Sequence, residues 1–185
     1  MNGYSKFTDP SSVNDWLLKS VPNELREKWN AEILNRESDL CFYKGAGATK
    51  MNECLRKPNE NQSIYQMIEK EINGLYDLLN TYKLDESVIT YRYVSGKELI
   101  ALVKGTLFKR IYKYHGFLST TLLPDHYSMD DIKRKRCMIK ILVPKGTPGI
   151  IVPEIVPENS EYEWLMPCGL CLKRLCLKTY IIVSP

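Results

Sequence analysis

The hydrophobic period of this chain changes near its midpoint, and that change limits the folds open to it. Between Ser63 and Tyr82 the apolar residues Ile64, Met67, Ile68, Ile72, Leu75 and Leu79 fall three or four apart, which predicts one long amphipathic helix. A few residues on, "SVITYRYV" (87–94) is β-branched and aromatic, the make-up of a strand. Shorter helices are predicted upstream: over Ser11–Leu18, from Pro22 with Leu25, Trp29 and Ile33 at fourfold spacing, and over Thr49–Leu55. Downstream, Ser95 caps a helix to about Val103, with Glu98 at the third position of the capping-box pattern. "GFLSTT" (116–121), "CMIKILVP" (137–144), "IIV" (150–152), "YEWLMP" (162–167) and the region from Leu175 to Val183 read as strands. In "CMIKILVP" the residues Cys137, Ile139, Ile141 and Val143 share one face. Helices first and an antiparallel or mixed sheet afterwards make the fold α+β. The 185 residues suit a single domain, 1–185, mainly helical through residue 84 and mainly β from 85.

Charge and cysteine usage narrow the function classes. With 26 basic and 22 acidic residues the net +4 is too mild for a nucleic-acid binder, and "KRKR" (133–136) reads as a solvated face. No apolar run reaches the ~18 residues that span a bilayer, and "MNGYSKFTDP" lacks the apolar core of a signal peptide. Cysteines 41, 54, 137, 168, 171 and 176 are too sparse for a disulfide scaffold, so reduced thiols are expected. Cys168 and Cys171 form a CxxC with Cys176 nearby, but neither histidine is close in sequence, so no metal is expected. "KGAGATK" (44–50) matches neither the phosphate loop nor the dinucleotide turn, because Lys50 stands where the third glycine belongs; it reads as a plain loop.

Chemistry concentrates in "SEYEWLMPCG" (160–169), where Glu161 and Glu163 precede an apolar run. On a strand both acids would point to one side, roughly 6–7 Å apart along it. Like charges on one face repel, so such a pair asks for a function. Taken alone, an E-x-E on a strand is most often two surface glutamates.

Three separated pieces in order change that reading: "VITYRYVSG" with Arg92, "GFLSTT" with Ser119, and "SEYEWLMPCG" with Glu161 and Glu163. Together they resemble the mono-ADP-ribosyltransferase toxins of the Arg–Ser–Glu class, the clostridial binary-toxin enzymatic components and Rho-modifying exoenzymes. "KMNECLR" resembles the family's Ile-Asn-x-x-Leu-Arg helix, and "IKILVPKGTPGII" the strand and turn before the catalytic loop, so the likeness covers about residues 40–170. Departures are few. Thr121 stands for the second serine of an STS strand, Met51 for a branched residue, and Cys168 for the arginine that commonly follows the proline. Tyr127 is the candidate for the family's loop aromatic.

The resemblance implies N-terminal helices packed on a two-sheet mixed or antiparallel β core. It implies NAD as the substrate, no metal, and transfer of ADP-ribose to a protein side chain. Glu163 would steady the ribosyl cation and Glu161 would address the acceptor, an arginine where this first position is glutamate. Arg92 and Arg56 would hold the pyrophosphate, whose charge suits planar guanidinium forks. Ser119 would orient Arg92 or Glu163, and Asn52, Tyr93 and Gly96 complete the NAD-binding set. "PEIVPENS" (153–160), with Glu154, Pro157 and Glu158, would be the exposed turn that meets the target. The implied partner is a host protein with an acceptor arginine, actin among the family's targets. The implied setting is that of a secreted or injected effector acting in host cytoplasm, with a separate delivery component. Two rival readings use the same fold: an NAD glycohydrolase with water as acceptor, and a catalytically inactive binding module.

Overall fold

The computed structural model describes residues 3–107, 110–124, 137–153 and 161–183. Among the described residues, five α-helices precede the first strand: α1 (Pro10–Ser20), α2 (Asn23–Leu34), α3 (Asp39–Phe42), α4 (Ala48–Arg56) and α5 (Gln62–Leu79). After β1 (Val88–Val94) comes α6 (Gly96–Gly105), then β2 (Ile111–Lys113), β3 (Leu118–Thr121), β4 (Cys137–Val143), β5 (Ile150–Ile151), β6 (Glu163–Met166), β7 (Cys171–Cys176) and β8 (Thr179–Val183). The expected α+β order holds. Tyr127, the run at 133–136, and Glu154, Pro157 and Glu158 lie outside the described residues.

Local chemistry explains the helix starts. Asp9 caps α1 by accepting from the Ser12 amide at 2.9 Å, with Pro10 at the first helical position, where its missing N–H costs nothing. Ser95 caps α6 by accepting from the Glu98 amide at 3.1 Å. The long stripe on α5 is only partly buried. Ile72, Leu75 and Leu79 are in the core, whereas Ile64 and Met67 are 41% and 78% exposed. The helix bends at Ile68, which leaves the helical region, so its first turns do not share the face of the last. The expected loop at 44–50 is a kink between helices instead: within Tyr43–Gly47, a π-type turn that joins α3 to α4, Gly45 leaves the helical region, and α4 runs on from Ala48. Glycine at 47 allows this, because a Cβ there would meet the Phe42 carbonyl oxygen at 2.6 Å.

The strands form one mixed sheet in the order β2-β7-β8-β4-β1-β3-β6-β5, antiparallel except for the β4–β8 pair. In place of the expected two sheets there is one continuous sheet that narrows to a seam between β1 and β3. β1 pairs with β4 over seven residues but with β3 only at Tyr91↔Thr121. On one side lies a five-strand part, on the other the short strands β3, β6 and β5. The region expected as one strand from Leu175 splits between the end of β7 and β8.

A chain of aromatic rings ties the helices to the short-strand side. Phe7 packs on Trp16, Trp16 on Trp164 of β6, Trp164 on Tyr82, and Tyr82 on Trp29, with centroids 5.3–6.2 Å apart. Trp164 is wholly buried, so the residue just before it, Glu163, sits on an anchored strand end. The β3–β6 register then places Thr121 opposite Glu163 and Ser119 opposite Leu165.

Candidate active site

A cavity of about 480 Å³ opens at the seam between β1 and β3. Asn52 and Arg56 reach it from α4, Arg92 and Tyr93 from β1, Ser119 from β3, and Glu161 and Glu163 from the start of β6. Three motifs spread over more than 70 residues of sequence therefore converge on one space. Gly96 does not line it; it is the first residue of α6.

Arg92 is held on three sides. Its Nε donates to Glu98 Oε1 at 3.2 Å, Nη1 to the Ser119 carbonyl at 2.6 Å, and Nη2 to the Tyr114 hydroxyl at 3.1 Å. Ser119 thus orients Arg92 through its backbone oxygen. Burial disfavours the guanidinium charge, but the facing Tyr114 and Glu98 outweigh it and push the Arg92 pKa upward. Arg92 remains a cation, and its planar fork carries more donors than these bonds use.

Tyr114 is the junction of the cationic side. Its hydroxyl also accepts from Arg56 Nη2 at 2.8 Å and donates to Glu98 Oε1 at 3.2 Å. The guanidinium carbons of Arg56 and Arg92 lie 5.5 and 5.8 Å from its ring centroid, within cation–π range. Two like charges are held near each other because a π face, a shared hydroxyl and one carboxylate stand between them. Burial pushes the Tyr114 hydroxyl up, so it stays protonated and can donate to Glu98.

Asn52 works on the frame as well as the lining. Its Oδ1 accepts from the Phe117 amide at 2.7 Å and ties α4 to the entrance of β3. Gly116 permits that approach, since a Cβ there would lie 2.5 Å from the same oxygen. Tyr43 bonds Asn52 from the π-helical segment; burial and then the charge of Glu163 push its hydroxyl up.

The acidic side departs from simple strand geometry. β6 begins at Glu163, and Tyr162 before it has φ 46°, in the left-handed region. Glu161 is therefore not the alternate residue of one strand. It is steered by the Thr121 hydroxyl, which donates to the Glu161 carbonyl at 2.6 Å, while the Leu122 amide donates to the Tyr162 carbonyl at 3.0 Å. Both carboxylates nonetheless face one cation: Lys44 Nζ lies 2.8 Å from Glu163 Oε2 and 3.7 Å from Glu161 Oε2. Glu163 is 5% exposed, while the Glu161 side chain is 46% exposed.

Three residues of the site carry no sequence signal of their own type. Tyr114 sits in "KYHGF", between β2 and β3 and outside the three motifs. Glu98 was visible only as a capping residue, yet its side chain turns to Arg92 and Tyr114. Lys44 lay in a segment read as a loop. Cys168, at the position where an arginine was expected, is half-buried in the β6–β7 turn, and burial pushes its thiol up.

The family model for the ADP-ribosyltransferase exoenzyme matches residues 21–174. The NAD(+)–arginine ADP-ribosyltransferase EFV of Enterococcus faecalis is 29% identical over 160 residues, which cover 82% of this chain and 31% of that protein. The chain thus spans about a third of the length of that curated relative. Among solved structures, the ADP-ribosylating toxin BECa of a binary enterotoxin of C. perfringens, crystallised with NADH, is similar with a TM-score of 0.73 at 24% identity, covering 97% of this chain and 49% of that one. C3stau2 from S. aureus, crystallised with NAD, is similar with a TM-score of 0.63 at 18% identity, covering 99% of this chain and 100% of that one. At these identities the two structures speak for the fold.

Proposed function

Because the chain belongs to the ADP-ribosyltransferase exoenzyme family, we propose that it cleaves the nicotinamide–ribose bond of NAD and transfers ADP-ribose to an arginine of a host protein. The observation that carries this reading is the meeting of Arg92, Ser119, Glu161 and Glu163 in one cavity. Arg92 and Arg56 offer guanidinium forks to the anionic pyrophosphate. Glu163, buried and ionically paired, faces the ribose. As the bond to nicotinamide breaks, positive charge grows on the sugar, and a fixed carboxylate stabilises that state more than the ground state. Glu161, half in solvent, receives the acceptor guanidinium and takes its proton as it attacks.

Arginine as the acceptor is supported by glutamate at position 161 and by the named activity of the Enterococcus faecalis relative. The partner is then a host protein presenting an arginine, with actin a candidate. Action in host cytoplasm after secretion or injection, with a separate delivery component, completes the proposal.

The test is incubation with labelled NAD and a host-cell lysate. Protein-bound label that hydroxylamine releases supports transfer to arginine. Label that resists hydroxylamine moves the acceptor to another side chain. Nicotinamide release without protein label makes the protein a glycohydrolase, and neither product makes it a binding module.

A further inference from the structure

The geometry points to Lys44 as a positioning residue of this reaction, an ammonium that holds the two glutamates together and oriented on the acceptor side of the cavity; the inference rests on the transferase reading above. Two irregular pieces of backbone build the contact. The kinked segment Tyr43–Gly47, fixed by buried Tyr43 and by Gly47 against Phe42, carries Lys44 to the two glutamates that line the cavity. The left-handed Tyr162 turns Glu161 back towards the same point.

The chemistry favours a positioning role over a blocking one. A carboxylate as buried as Glu163 is costly to keep charged without a partner, and Lys44 supplies one at 2.8 Å. A carboxylate has more acceptor sites than one ammonium fills, so Glu163 can hold Lys44 and still meet a ribose hydroxyl. The looser contact to Glu161, at 3.7 Å, is one that an incoming guanidinium can replace.

The test compares wild type with Lys44→Met and Lys44→Arg, scoring NAD cleavage and transfer to an arginine analogue such as agmatine, with thermal unfolding to confirm folding. Because Glu163 acts in the transition state, Lys44→Met is expected to lower kcat for cleavage about tenfold with the KM for NAD within about twofold. Transfer falls further than cleavage, and Lys44→Arg restores kcat to within about threefold of wild type. In 15N NMR, the Lys44 ammonium gives a signal protected from exchange that disappears in Glu163→Gln. Lys44→Met as active as wild type, or more active, would overturn the role alone. So would a loss that Lys44→Arg fails to restore, or an unprotected ammonium in wild type. Wild-type protein that neither cleaves NAD nor transfers ADP-ribose would overturn the transferase reading and this role together.

Discussion

Replacing Tyr162 by glycine and, separately, by alanine isolates the cost of the backbone turn that presents Glu161. Both variants lose the same ring, so every contact of that side chain cancels in the comparison. What remains is φ. At 46° a residue with a Cβ pays roughly 1–2 kcal/mol that glycine does not. Glycine in turn loses about 0.5–1 kcal/mol to the greater freedom of its unfolded chain. At the midpoints of these ranges the balance leaves Tyr162→Gly more stable than Tyr162→Ala by about 0.75 kcal/mol. For a domain of 185 residues each kcal/mol moves the midpoint about 2–4 °C, so the two should differ by about 1.5–3 °C in thermal unfolding. The same pair at Asn73, exposed in the middle of α5, should show the opposite order, alanine above glycine by about 1 kcal/mol. If alanine matches or exceeds glycine at 162, the turn is not strained, and the account of how Glu161 is aimed fails. Bonds from Leu122 and Thr121 to the carbonyls of residues 162 and 161 hold the turn from both sides, which is how a strained residue persists at a site.

Other outcomes follow from the same geometry. Glu163→Gln should cut NAD cleavage and transfer by about a hundredfold or more, whereas Glu161→Gln should suppress transfer to arginine and spare much of the cleavage; equal transfer by wild type and Glu161→Gln would remove the role given to that residue. Tyr114→Phe takes away the hydroxyl that Arg56 and Arg92 share, and calorimetry should show NAD binding weakened about tenfold, the scale of one charge-assisted hydrogen bond. Undiminished affinity would mean that Tyr114 does not organise the phosphate side. Among the thiols, Cys176 should react first with iodoacetamide near neutral pH, since it is exposed and hydrogen bonding by the Thr179 side chain and the Lys178 backbone lowers its pKa. Buried Cys54, its pKa raised by burial, should react last by mass mapping.

What could be read from the sequence was whatever repeats a period or fills a motif. The switch from a 3.6-residue stripe to β-branched runs marked α5 and β1, and the serine at 95 marked the start of α6 to the residue. The strands "LSTT" and "EWLM" emerged because their flanks carry turn residues. Two short elements escaped: α3 spans four residues and β2 three, too few for a period to show, whereas two-residue β5 was legible from the β-branched run "IIV". The exposed start of α5 escaped too, since Ile64 and Met67 fit the stripe and only the bend at Ile68 turns them outward. Pattern records which residues are apolar, not whether the helix stays straight.

The site shows the same division. Arg92, Ser119 and the glutamates were legible because family motifs lie along β1, β3 and β6 with its lead-in. Lys44, Glu98 and Tyr114 were not, because their roles depend on how separate pieces meet. Tyr114 follows a three-residue strand and becomes a junction only when α4 and β1 bring two arginines to its ring. Glu98 had a sufficient local explanation in the helix cap, which hid its tertiary one. Lys44 is set by a π-helical turn that no periodicity announces. These three residues also supply the partners that let buried charges exist: Glu98 and Tyr114 for Arg92, Lys44 for Glu163. In a cavity lined by arginines and carboxylates, the residues that meet the substrate can be found by motif. Those that keep them charged must be found by contact.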